Sequence, residues 1–183
     1  MMRKGNRSLR KRPLFAPLLI PALSAIAAIL VIGWLWSASD TTTVILVRHA
    51  EKSSEPADDP GLSSLGIFRA KALAGWLRDS GIGHIYVSQY LRTKETANPV
   101  AEATGAFVHE LPAGDIDGLV DILRSDHRGE TVLVIGHSNT VPEIIRGLGG
   151  EISDIDESDY SRLIIVTGSR LGRVRVTSLQ YGG

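Results

Sequence analysis

TVILVRHAEK, residues 43–52, opens on five β-branched or aliphatic residues and runs without a spacer into Arg48, His49 and Glu51. A short, continuously apolar run of this kind fits a central strand of a parallel sheet, buried on both faces. Such a strand has no use for a guanidinium beside an imidazole, so the polar residues lie past its end. There they either cap the strand in water or form the floor of a reactive site. Ligands of open α/β sheets bind at the carboxyl ends of the parallel strands, so the ends of the other strands decide between these readings.

TVLVIG (131–136) repeats the pattern, and HIYVS (84–88) and AFVHE (106–110) are further strand candidates. Helical stretches separate them. In 63–81 an apolar stripe of Leu65, Phe68, Ala72, Leu73, Trp76 and Leu77 recurs at three- and four-residue spacing and stops at Gly81. Residues 92–105 also end at a glycine, with Pro99 expected to kink or interrupt the helix. Residues 115–127 start acidic and end basic, as the helix dipole favours, and 140–150 carry Pro142 near the start, where a missing N–H does no harm. The alternation predicts βαβ units in one α/β domain. Residues 162–180 read instead as two alternating strands around a Gly/Ser/Arg turn, an antiparallel hairpin finishing the sheet, and the acidic run 151–160 reads as a solvated loop.

The strand ends now converge. The first strand delivers Arg48, His49 and Glu51, the second delivers Ser88 with Arg92 four residues on, and the strand at 131–136 delivers His137 and Ser138. Two histidines and two arginines at one sheet edge suit phosphoryl transfer. An imidazole nitrogen attacks phosphorus in line and gives a phosphohistidine that water later opens. Guanidinium groups stabilise the charged equatorial oxygens with a bidentate geometry that lysine lacks. Arg92 at a helix start stands against the positive end of the dipole, which favours a role with an anion.

Three segments, VRHAEK (47–52), YVSQYLRTKETA (86–97) and VIGHSNT (134–140), resemble the signature segments of the histidine phosphatase superfamily, also called phosphoglycerate mutase-like, and especially its small bacterial members. The resemblance spans nearly all of 43–150 with the motifs in order. It implies a three-layer α/β/α sandwich with a mostly parallel sheet, His49 as the phosphorylated nucleophile, Arg48 and Arg92 as phosphate ligands, and His137 completing the pocket. It implies no metal and no cofactor. Ala50 stands where the family commonly has glycine. The insertion from which larger members supply a glutamate as general acid is short here, so Asp115, at a helix start, is the candidate acid, with Glu110 and Asp117 as rivals. Lacking a working acid, the site would suit leaving groups that need little protonation, such as phosphohistidine or an acyl phosphate.

Other residues take blander readings. Glu51 and Lys52 read as a surface pair, and His84, His109 and His127 lack companions in the pattern and read as structural or exposed. Ser138 is no nucleophile elbow, because Thr140 occupies the place of the second glycine in G-x-S-x-G. Zinc between His49, His137 and a carboxylate is opposed by two nearby guanidinium groups. The absence of cysteine excludes disulfides and thiolate catalysis.

The formal charge of zero hides an asymmetry. Arg3, Lys4, Arg7, Arg10, Lys11 and Arg12 precede an uncharged run over 14–36, which leaves 14 Lys/Arg against 20 Asp/Glu, a net −6, for 37–183. A nucleic-acid partner is therefore not expected. The 23 uncharged residues would make a helix about 34 Å long at ~1.5 Å per residue, enough to cross a hydrocarbon core of ~30 Å. The expected organisation is a basic cytoplasmic N-terminus (1–13), a transmembrane signal anchor (14–36), a tether (37–42) and the histidine phosphatase-like domain (43–183). The flanking cations predict a cytoplasmic N-terminus and a periplasmic or extracellular domain. The substrate would be a phosphorylated small molecule, lipid or glycan, with the membrane itself as partner. Two other readings are a non-catalytic tethered phosphate-binding domain and a cytoplasmic protein-phosphohistidine phosphatase.

Overall fold

The computed structural model describes residues 16–38, 41–168 and 174–181. The chain forms two units, divided after Ser37. The first contains all but the last residue of α1 (Ala16–Ala38), of which side chains are described at Pro21 and over 23–34. Among the described residues no helix is long and apolar enough to cross a membrane, so the expected transmembrane helix is not seen. The side chains described in α1 cover a stretch shorter than the ~20 residues a span requires.

The second unit alternates as the sequence predicts: β1 (Thr42–Arg48), α2 (Ser64–Leu77), β2 (Ile82–Val87), α3 (Leu91–Thr104), β3 (Phe107–Glu110), α4 (Ile116–Ser125), β4 (Thr131–Gly136), α5 (Thr140–Gly147), then β5 (Arg162–Gly168) and β6 (Arg175–Gln180). The six strands lie in the order β3-β2-β4-β1-β5-β6. β3, β2, β4 and β1 are mutually parallel, whereas β5 runs antiparallel to β1 and β6 antiparallel to β5. The sheet is thus mixed, not mostly parallel. Only six residues of sequence separate β5 from β6, too few for the crossover of about a dozen residues that a parallel neighbour needs, so the strand returns antiparallel.

Side chains of the central strands alternate between two cores. Val44, Leu46, Val132 and Val134 meet α4 and α5 through Leu119, Leu123, Ile144 and Ile145. Ile45, Val47, Leu133 and Ile135 meet α2 and α3 through Leu73, Leu77, Ala97 and Val100. Burial on both faces explains why these strands read as unbroken apolar runs. Helices on both faces make the three layers.

Two local expectations are corrected. α3 runs unbroken through Pro99 and ends at Gly105, whose left-handed conformation (φ 74°) lets its N–H reach the Ala101 carbonyl at 2.8 Å. In α2 the buried stripe is Gly66, Ala70, Leu73, Ala74 and Leu77, while Phe68 and Trp76 stand 65% and 60% exposed. Close approach decided the face: a Cβ on Gly66 would lie 2.2 Å from the Glu51 carbonyl oxygen, so only the small-residue side can sit against the β1–α2 loop.

Candidate active site

β1 and β4 are parallel neighbours in register, Arg48 opposite Gly136. The next residue of each strand is therefore a histidine at the same sheet edge, and the His49 N–H donates to the Gly136 carbonyl at 2.9 Å. The imidazoles of His49 and His137 meet edge to face with ring centroids 5.2 Å apart. They are 4% and 9% exposed. A single tetrahedral anion can touch both rings at this spacing.

The carbonyl of Ala50 accepts from Nδ1 of His49 at 2.8 Å. A carbonyl can only accept, so Nδ1 carries the proton and Nε2 keeps its lone pair. Burial, with His137, Arg48 and Arg92 adding to it, lowers the His49 pKa to about 3 against the opposing pull of that hydrogen bond. The ring is neutral and nucleophilic at physiological pH. His137 is lowered to about 4, by burial first and then by Arg92 and Arg48. Its Nε2 lies 3.0 Å from the Ser88 hydroxyl, which is 3.0 Å from Thr93 Oγ1, so β2 and the first turn of α3 orient the ring. Its backbone N–H donates to Thr140 Oγ1 at 3.0 Å.

Both predicted arginines reach the same cleft. Arg48 donates to the backbone carbonyls of Glu157 and Asp156, and its guanidinium lies 4.0 Å from the centre of the Tyr160 ring. Arg92 lies 4.2 Å over Tyr90 and pairs loosely with Asp59 at 3.6 Å. Nε of each guanidinium is buried with no hydrogen-bond partner. Two orphaned cationic donors beside two neutral imidazoles mark a place for an anion, since buried donors are otherwise almost always satisfied. The cleft measures about 560 Å³, and its lining includes Arg48, His49, Tyr90, Arg92, His137 and Tyr160.

None of the three carboxylates named as acids is among the residues that line the cleft. Asp115 caps α4, accepting from the Gly118 N–H at 3.2 Å, and, between the cleft-lining Gly114 and Ile116, borders an adjoining cavity of about 30 Å³ that His137 also lines. Glu110 pairs with Lys94 at 2.8 Å. Asp117 sits in the first turn of α4. Glu143 and Glu157 do line the cleft, both exposed. Glu51 pairs with Arg69 at 2.7 Å across to α2 and not with Lys52, which lines the cleft.

Sequence reasoning missed the residues that hold the machinery. Ser88 was legible as a polar residue at a strand end, whereas Thr93, in the first turn of α3, was not singled out. Tyr160 and the carbonyls of Asp156 and Glu157 were not, because they lie in the acidic run read as a solvated loop. That loop closes over the end of β1 because the buried guanidinium of Arg48 needs acceptors.

The model of the histidine phosphatase superfamily (branch 1) matches residues 44–113, which include Arg48, His49 and Arg92. No curated protein matches the chain. Among solved structures, the protein histidine phosphatase SixA complexed with tungstate is 22% identical, with 75% of this chain and 96% of that chain covered and a TM-score of 0.63. A putative α-ribazole-5′-phosphate phosphatase from Escherichia coli is 14% identical over 76% of this chain and 96% of its own, with a TM-score of 0.63. Mycobacterial glucosyl-3-phosphoglycerate phosphatase is 15% identical over 77% and 99%, with a TM-score of 0.57. At these identities the structures share the fold.

Proposed function

We propose that this chain, whose family match and fold support membership of the histidine phosphatase superfamily, is a phosphatase that carries the phosphoryl group on His49. The observation that carries the reading is the pair of buried imidazoles 5.2 Å apart flanked by two guanidinium groups with unpartnered Nε donors. Nε2 of His49 attacks phosphorus, the P–N bond forms, and the bond to the leaving group breaks. The Ala50 carbonyl holds the Nδ1 proton and so stabilises the positive ring that results. Arg48 and Arg92 neutralise the equatorial oxygens. Water then attacks phosphorus, the P–N bond breaks, and phosphate leaves. A bound anion offsets the two guanidinium charges that depress His137, which helps this ring to donate to a phosphoryl oxygen.

The leaving group narrows the substrate class. Asp115, Glu110 and Asp117 are outside the cleft lining, and Glu143 and Glu157 are exposed, not in the desolvated setting that makes a carboxyl a proton donor at neutral pH. The site therefore suits a phosphoryl group on a leaving atom that needs little protonation, such as an imidazole nitrogen or a carboxylate. Acyl phosphate, phosphohistidine peptide and aryl phosphate are expected to turn over at least about 10²-fold faster in kcat/KM than an alkyl phosphate, the lower end of what general acid catalysis contributes. Asp115→Asn and Glu143→Gln are expected to leave all four rates within a few-fold. A steep loss confined to the alkyl phosphate in either variant assigns it the acid and removes this restriction.

We also read residues 14–36 as a signal anchor that leaves the domain outside the cytoplasm. Six cations before an uncharged run of 23 residues support this, as do the exposed apolar side chains of α1 at Leu23, Ile26, Leu30 and Trp34. A reporter fused after Gly183 that is active only in the periplasm is expected to give signal, and silence there reverses the topology.

A further inference from the structure

The remaining three of the five histidines, expected to stand alone, form a second cluster. His84 on β2 places Nδ1 2.9 Å from Nε2 of His109 on β3. Nε2 of His84 is 3.8 Å from Oε2 of Glu130, and Nδ1 of His127 is 2.8 Å from the same oxygen. Nε2 of His127 is 2.7 Å from the Tyr86 hydroxyl. We propose that His84 Nε2, His127 Nδ1 and Glu130 Oε2 form a binding site for a divalent transition-metal ion of the zinc type.

The donor set and its spacing carry the assignment. The three donor atoms all lie within 4.8 Å of one another. Bonds of ~2.0–2.1 Å to a tetrahedral ion put donors about 3.3 Å apart, and the observed 2.8 and 3.8 Å bracket that value. Two imidazoles and a carboxylate suit zinc and its first-row neighbours. Metal-bound imidazoles almost always donate their second N–H to an acceptor, and here both have one: His109 Nε2 behind His84, and the Tyr86 oxygen behind His127. Three protein donors leave a fourth position for water.

The place in the fold indicates a structural role. Glu130 precedes β4 and His137 follows it, so the cluster and the cleft lie at opposite ends of that strand, about 20 Å apart at ~3.3 Å per residue. An ion there ties the turn between α4 and β4 to β2. Binding to the folded state alone raises its stability.

The test titrates the full chain, purified in detergent and stripped with chelator, with ZnCl₂, and with Co²⁺ as spectroscopic probe. One equivalent of Zn²⁺ is expected, with a rise of the unfolding midpoint by several degrees and visible d–d bands for Co²⁺. His84→Ala and Glu130→Gln are expected to weaken Zn²⁺ at least tenfold while melting cooperatively without metal. His109→Ala, which removes only the acceptor behind His84, weakens it about tenfold. His49→Ala leaves binding unchanged. Absence of stoichiometric binding, or binding lost in His49→Ala and retained in Glu130→Gln, overturns the site.

Discussion

His49→Ala is expected to lower turnover of an aryl phosphate by about four orders of magnitude or more, the scale on which removal of a covalent nucleophile acts. KM stays close to its original value, because Arg48 is held by the Asp156 and Glu157 carbonyls and Arg92 by the Tyr90 ring, none of which involves the imidazole. The chemical signature is sharper than the rate. With ³²P-labelled aryl phosphate and an alkaline detergent quench, the unsubstituted chain retains label that is stable to base and lost in acid, as a phosphoramidate is. The variant retains none. Label persisting in His49→Ala moves the nucleophile to another residue and removes the proposed mechanism. The leaving group in this assay needs no acid, so the result is independent of where a general acid lies.

Acid costs this fold stability in a definite window. His49 and His137 are neutral in the folded state, with pKa values lowered to about 3 and about 4, and both start from 6.5 in the unfolded chain. Between these limits the unfolded state binds the extra proton, so stability rises with pH and is lost as pH falls. The penalty is absent above pH 6.5. It grows below it, by up to about 1.4 kcal/mol per pH unit for each ring. It stops growing once the folded rings themselves protonate. Urea titrations at pH 7, 6 and 5 are expected to show a falling midpoint at constant m-value. His49→Gln is expected to flatten that slope by about half. A midpoint unchanged from pH 7 to 5 shows that the two rings are not buried as neutral species. Bound phosphate opposes the effect, since an anion restores the charged form of His137.

The strands and their ends were legible one at a time. TVILV and TVLVIG were read as central strands because burial on both faces leaves a purely local signature, and β1 and β4 are indeed the middle pair of the six-stranded sheet. Once they are neighbours in register, the positions of Arg48, His49 and His137 follow without further information. Helix starts were legible for the same reason, since a cap such as Asp115 is decided within four residues. The place of the Asp115 carboxylate was not, because it caps its own helix while its neighbours Ala113, Gly114 and Ile116 line the cleft.

The residues themselves therefore determined the order of elements, the strand ends and the two histidines and two arginines that line one cleft, through periodicities and caps that act over a few positions. Only the folded chain decided which side of α2 faces inward, where the small side of Gly66 outweighed Phe68 and Trp76. It alone turned the acidic run 151–160 into a clamp on Arg48 and gathered His84, His109 and His127 around Glu130. These depend on how closely backbones approach and on which distant loops share a strand end. Such contacts between residues far apart in the chain leave no local pattern.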